Sequence, residues 1–161
     1  MLSKTVETEY FFKPFKRHVG IDADYVVGSF GDSPALADEL LALVVAGTKR
    51  ATASLRRNYG DGREPLPSVE DYVVVLAGNG VPSLICQTTD IEVKPLSAVD
   101  DQFAWDEGEG DRTRAGWLAN HRHYFAREAE RDGFAMHDDI LVVFERFRVV
   151  WPLAIADRPP G

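Results

Sequence analysis

Hydrophobic positions along this chain change period several times, and each change marks an element. Between residues 33 and 45, Leu36, Leu40, Leu43 and Val44 recur at helical spacing and share one face. Ser33 suits the N-cap, Pro34 the first helical position and Gly47 the C-terminal cap, so a helix is predicted over 33–45. Small and β-branched residues predict a short strand over 51–55. A β-branched run at 72–76, the turn signal Gly78-Asn79-Gly80 and renewed extended character over 81–93 predict a hairpin. Asp111 can cap a second helix running to about residue 131, with Trp117, His121, Tyr124 and Phe125 at helical spacing and Gly133 near its end. A long strand is predicted over 139–151, with Ile140, Val142, Phe144 and Phe147 as core candidates. Residues 58–67, with Gly60, Gly62, Pro65 and Pro67, read as a long loop.

This order of helix, strands, helical excursion and closing strand suits an α+β domain built on a small barrel. With 161 residues, 45% of them hydrophobic, one domain with one buried core is expected. Residues 1–29 read as an accessory segment in which Tyr10, Phe11, Phe12 and Phe15 alternate with Lys13, Lys16 and Arg17. Such a cluster either anchors the extension onto the core, the expected role, or offers an aromatic and basic surface to a base or phosphate. The core domain is expected over 30–153, and 154–161 as a flexible tail. No apolar run approaches the roughly 18–20 residues of a membrane span, and the N-terminus lacks the apolar stretch of a signal peptide. A cytoplasmic location without membrane partners is expected. The single cysteine, Cys86, cannot form an internal disulfide, which fits a reducing compartment, and its neighbours Leu84 and Ile85 suggest a small buried strand side chain.

A formal charge of -8 argues against holding long nucleic acid by phosphate neutralisation, but leaves open a nucleotide or flipped base in a pocket. Lys49, Arg50, Arg56, Arg57 and Arg63 lie close together in sequence and either meet a phosphate locally or form a solvated loop. The four histidines show no zinc spacing and one cysteine cannot build a structural zinc site, so neither metal nor cofactor is expected. No dinucleotide fingerprint, P-loop or nucleophile elbow is present.

Two short stretches carry the candidate chemistry. Gly47-Thr48-Lys49-Arg50-Ala51-Thr52-Ala53-Ser54 places an ammonium and a hydroxyl three residues apart at the entry to a strand. In the second, Glu107 and Glu109 alternate with Gly108 and Gly110, which lets the backbone approach a ligand closely. Residues 30–44 followed by the first stretch resemble the opening of the ASCH domain family, in the branch with the motif GxKxxT. Leu66-Pro67-Ser68-Val69-Glu70-Asp71-Tyr72 is similar to the family's lead into its barrel, with Glu70 where the family more usually has glycine. The segment from Phe103 to Asp111 resembles the family's acidic AxxEGEGD segment, and Trp117, His121 and Phe125 the aromatic helix after it.

The resemblance implies a PUA-like small mixed β-barrel with flanking helices and a cleft between helix and barrel. In one hydrolase subgroup a Lys, a Thr three residues later and a Glu from the acidic segment act together, which implies catalytic roles for Lys49, Thr52 and Glu107. Arg50, Ser54, Arg56, Arg57, Trp117 and His121 are the expected substrate-binding set. The implied reaction is metal-independent hydrolysis of an N-acylated pyrimidine nucleoside such as N4-acetylcytidine, or of a related RNA-derived substrate. A Thr hydroxyl needs a base within hydrogen-bond reach. Either a neutral Lys49 takes its proton, or a Glu does so while a charged Lys49 stabilises the oxyanion. Glu109 reads instead as a solvated or helix-capping residue, and His121 as a core-facing histidine or a base-stacking one. The alternatives are a binding module for RNA or a modified nucleotide, with or without ribonuclease activity on short RNA, and an assembly module forming a homodimer.

Overall fold

Alternating apolar positions on five strands build one mixed sheet. The computed structural model describes residues 2–158, so Met1 and residues 159–161 of the expected tail lie outside it. The strands are β1 (Val26–Gly28), β2 (Ala51–Leu55), β3 (Tyr72–Leu76), β4 (Pro82–Pro95) and β5 (Leu141–Trp151), in the order β1-β3-β4-β5-β2. β1 runs parallel to β3, and the other neighbours are antiparallel. The sheet curls into a half-barrel, and four helices complete the α+β fold: α1 (Val6–Val19), α2 (Pro34–Val45), α3 (Asp101–Glu107) and α4 (Arg114–Asp132).

Side-chain alternation sends the core to both faces of this sheet. Val75, Leu84, Cys86, Phe147 and Val149 pack with Val44 of α2. On the opposite parity, Val74 and Ile85 pack with Phe12 and Phe15 of α1, while Ala51, Leu55, Val142 and Phe144 pack with Phe103 of α3 and with Trp117, Leu118 and Phe125 of α4. Cys86 is buried as expected, and burial pushes its thiol up, away from nucleophilic behaviour.

The helix read over 33–45 runs from Pro34, with the Ser33 hydroxyl accepting from the Leu36 amide, and the strands read over 51–55 and 72–76 have those bounds. Gly47 takes a left-handed φ of 86° one residue beyond the C-cap Ala46. Helix α4 starts later than expected. Its N-cap is Thr113, and Asp111 instead accepts from the Thr113 amide and hydroxyl.

Two helices were not read from the sequence, and one expectation changes. Residues 6–19 form a helix, capped at Thr5 by a reciprocal box with Thr8 and closed by Gly20, with Thr8, Phe12 and Phe15 buried along one stripe. Residues 101–107 form α3, capped by the Asp100 carboxylate, so Glu107 belongs to the last turn of a helix rather than to an acidic loop. The described part of the tail is tied down: Ile155 packs against the core, and the Asp157 carboxylate accepts from the Val149 amide and both Nε and Nη2 of Arg50.

Candidate functional site

Lys49 leaves the end of α2 and its side chain is 1% exposed. Its Nζ donates to the Ala51 carbonyl at 2.7 Å, to the Glu107 carbonyl at 3.5 Å and to Glu109 Oε2 at 2.9 Å. Three oxygens thus take up the three donors of an ammonium. Glu107, 58 residues away in sequence, brings Oε1 to 3.8 Å from the same nitrogen and is 2% exposed.

The two chain segments meet because Gly108 allows it. Its φ is 73°, and a Cβ there would lie 2.4 Å from the Thr48 carbonyl oxygen. Only glycine combines that backbone with that approach. Arg50 completes the join: its amide donates to the Asp106 carbonyl at 2.7 Å, and its carbonyl accepts from Phe147 at 3.1 Å.

Glu107 is the hub of the cluster. Trp117 Nε1 donates to its Oε2, and His121 Nε2 lies 2.8 Å from its Oε1. The second imidazole nitrogen of His121 sits 2.9 Å from the Trp117 carbonyl. Both ring nitrogens therefore face oxygen acceptors, the arrangement of an imidazolium. Burial works against the charge on His121, but the Glu107 carboxylate outweighs it and raises the imidazole above its ordinary value. Burial likewise opposes charge on Glu107, yet Lys49 and His121 together hold its carboxyl well below the usual range. Glu109 goes the other way: burial and the neighbouring Glu107 push it up to about 7. Of the two carboxyls, Glu107 is the ionised one, while Glu109, at about 7, is present in both protonated and ionised forms at neutral pH. Glu109 is also the more open, at 26% side-chain exposure.

Glu107, Glu109 and His121 each bring one donor atom within 4.8 Å of the others, the spacing of a metal-ligand set. The Lys49 ammonium already supplies positive charge to that cluster.

A cleft of about 560 Å³, within the range of ligand pockets, is lined by none of the cluster residues and approaches them at Phe30. Both edge strands wall it, β1 through Val26–Gly28 and β2 through Thr52, Ala53 and Ser54, so the curl of the sheet gathers distant residues. Phe30 joins the two places, lining the cleft while its ring centre lies 5.6 Å from Lys49 Nζ. Next in sequence to the cleft residue Gly31, Asp32 pairs with Arg127 and Arg131 of α4 at 3.2 and 3.3 Å.

Of the residues singled out in the sequence, Lys49 and Glu107 are brought together, and Thr52 and Ser54 line the cleft. The others are engaged elsewhere. The Arg50 guanidinium holds Asp157 and the carbonyls of Val44 and Lys49. Arg56 donates to the Tyr59 carbonyl, and Arg57 lies 3.6 Å from the centre of the Phe134 ring. Trp117 and His121 are buried, stacked on each other at 3.8 Å, and give their polar groups to Glu107 rather than to the cleft.

Glu109, read as solvated or helix-capping, instead binds Lys49, and the cleft residues Glu145, Tyr59 and Phe30 were not singled out. A signal existed for Glu145, the one carboxylate in β5, directly after the apolar run Leu141–Phe144.

The comparisons with known proteins follow this architecture. The ASCH domain model matches residues 26–151. The crystal structure of protein EF3133 from Enterococcus faecalis V583 is 32% identical with a TM-score of 0.79, over 88% of this chain and 86% of that one. An ASCH domain from Lactobacillus crispatus JV V101 is 30% identical with a TM-score of 0.77, over 89% and 91%. No curated protein matches. No helix among the described residues is long and apolar enough to cross a membrane. The matched span, which takes in all five strands and the Lys49–Glu107 cluster, together with the two crystal structures of the same fold, establishes that this chain belongs to the ASCH domain family.

Proposed function

We propose that this chain is a hydrolase that splits the acyl–nitrogen bond of an N-acylated pyrimidine nucleoside, such as N4-acetylcytidine, or of a related RNA-derived substrate. One observation carries the reading: a buried ammonium shared by two carboxyls, one of them near neutrality and partly open, beside a nucleoside-sized cleft containing Thr52. Of the two schemes for the proton, the geometry favours the charged lysine, because the three donors of Lys49 are already spent on oxygens and leave no lone pair to act as base. Lys49 then stabilises the oxyanion that develops at the acyl carbon, turning toward it the N–H that is held only by the long 3.5 Å contact to the Glu107 carbonyl. Glu109, at about 7, is matched to proton transfer at neutral pH. Thr52 Oγ1 adds to the acyl carbon and gives up its proton to Glu109. The C–N bond breaks, the proton passes to the departing nitrogen, and water releases the acyl group as a carboxylic acid. Glu107 holds Lys49 in place, and Trp117 and His121 hold Glu107.

The test incubates the protein with N4-acetylcytidine and with short RNA, both followed by mass. Conversion to cytidine, lost in Thr52→Val and Lys49→Met with ligand affinity retained in Thr52→Val, is the expected result. Full deacetylation by Lys49→Met overturns the reading. Shortened RNA without deacetylation favours the ribonuclease alternative, and binding without either change favours the binding module.

A further inference from the structure

The floor of the cleft holds a carboxylate that the proposed reaction does not use. Glu145 lies mid-strand in β5, opposite Thr52 of β2. The buried Thr88 donates its hydroxyl to Glu145 Oε1 at 2.7 Å. Among the described residues no lysine, arginine or histidine pairs with it, and burial raises its carboxyl above the ordinary value. An enclosed carboxylate with one hydroxyl and no cation calls for a further donor. Its surroundings favour a flat ligand, since Val73, Val75 and Phe147 share the cleft, and Phe30 packs on Phe147 with ring centres 5.9 Å apart.

The rest of the polar lining also offers oxygen. Ser54 Oγ and the Tyr59 hydroxyl bond each other at 2.7 Å, and Asn58 donates to the Glu128 carboxylate at 3.3 Å. Lys4, the cation on this lining, is engaged by Asp24 and the Tyr25 ring. Among the described residues of this lining a phosphate meets no free cation, whereas an N–H donor meets several acceptors.

We propose that the cleft floor reads the amino edge of a pyrimidine base, and that Glu145 selects an exocyclic amine over a carbonyl at that edge. The proposal rests on the reading of the cleft as a nucleoside site. An ionised carboxylate only accepts hydrogen bonds, so an amine gains a bond where a carbonyl oxygen meets oxygen. A site built around one hydrogen-bonding group discriminates strongly against the analogue that lacks it. Thr88 is a positioning residue that fixes which carboxylate oxygen faces the ligand.

Calorimetric titration with cytidine, uridine, N4,N4-dimethylcytidine and spermidine tests this on the intact protein. Cytidine is expected to bind about tenfold or more tighter than uridine and the dimethyl analogue. In Glu145→Gln the amide adds a donor, so the cytidine-to-uridine ratio is expected to shrink to about threefold or less while the melting temperature holds. An unchanged ratio in that variant, equal binding of the dimethyl analogue by the unaltered protein, or preferred binding of spermidine overturns the proposal. The analogue series keeps the test decisive even if the variant does not fold. Deacetylation measured on the same preparations separates the two ideas. A Glu145-dependent preference without hydrolysis overturns the catalytic reading alone, and hydrolysis without that preference overturns this proposal alone.

Discussion

Glu107 is stabilised as an anion by groups that also depend on it, so its removal costs more than one ion pair. With 2% of its side chain exposed, it faces Lys49, His121 and Trp117 at once. Glu107→Gln is isosteric but takes from the buried His121 its carboxylate and leaves Lys49 with Glu109 alone, and breaking a buried pair in this way costs about 3–5 kcal/mol. Denaturant unfolding checks that figure. The pH dependence has a definite sign. The folded state raises Glu109 from 4.5 to about 7, so it binds that proton more tightly than the unfolded chain does. The resulting stability is full below pH 4.5 and is lost as the pH rises through 7. His121, raised above 6.5, continues the same decline. Glu107, held below 4.5, contributes stability that is present above that pH and lost as the pH falls toward its folded value. The melting temperature is therefore expected to drop from pH 4.5 to 8, and Glu109→Gln to flatten the part up to about 7.

Elements with a clear period were legible in the sequence, and those set by local caps were not. The apolar face of α2 and the β-branched run of β3 announce themselves over several residues. Helix α3 has only seven residues, too few for periodicity to register, and Pro14 interrupts the pattern of α1 although Phe12 and Phe15 lie on one stripe. The site divides in the same way. Lys49 and Thr52 share one local motif, and Glu107 was reached through resemblance, because no spacing rule links residues 58 positions apart. Glu109 was misread as solvated because its partner Lys49 arrives from another element. A departure noticed in the sequence has a structural cost. Glu70, standing where the family more usually has glycine, takes a left-handed φ of 77° just before β3. For an L side chain that conformation costs about 1–2 kcal/mol. Glu70→Gly, which gives back part of that gain as unfolded-chain entropy, is expected to stabilise by about 0.5–1 kcal/mol in chemical denaturation.

At the scale of the whole molecule, the family match begins at residue 26, yet the fold does not. Helix α1 lies outside the match and covers Val74 and Ile85 with Phe12 and Phe15. Phe15 is 2% exposed and packs edge-on against Tyr72 at 5.1 Å, so Phe15→Ala is expected to cost about 3–5 kcal/mol by global unfolding, as in any core. A cost near zero would mean that α1 docks without stabilising the sheet. The stack of Trp117 on His121 has a consequence for light. An indole 3.8 Å from an imidazolium, at an interplanar angle of 14°, is placed for its excited state to be quenched. Trp105 is 54% exposed, and Trp151 lies against Phe15 and His18. Only Trp117, 4% exposed, touches the cluster around Glu107. Its emission is expected to brighten as the pH rises and His121 loses its proton, and to lose that response in Trp117→Phe. The chain thus carries its own optical gauge of how many protons its central cluster holds, readable in a cuvette without label or substrate.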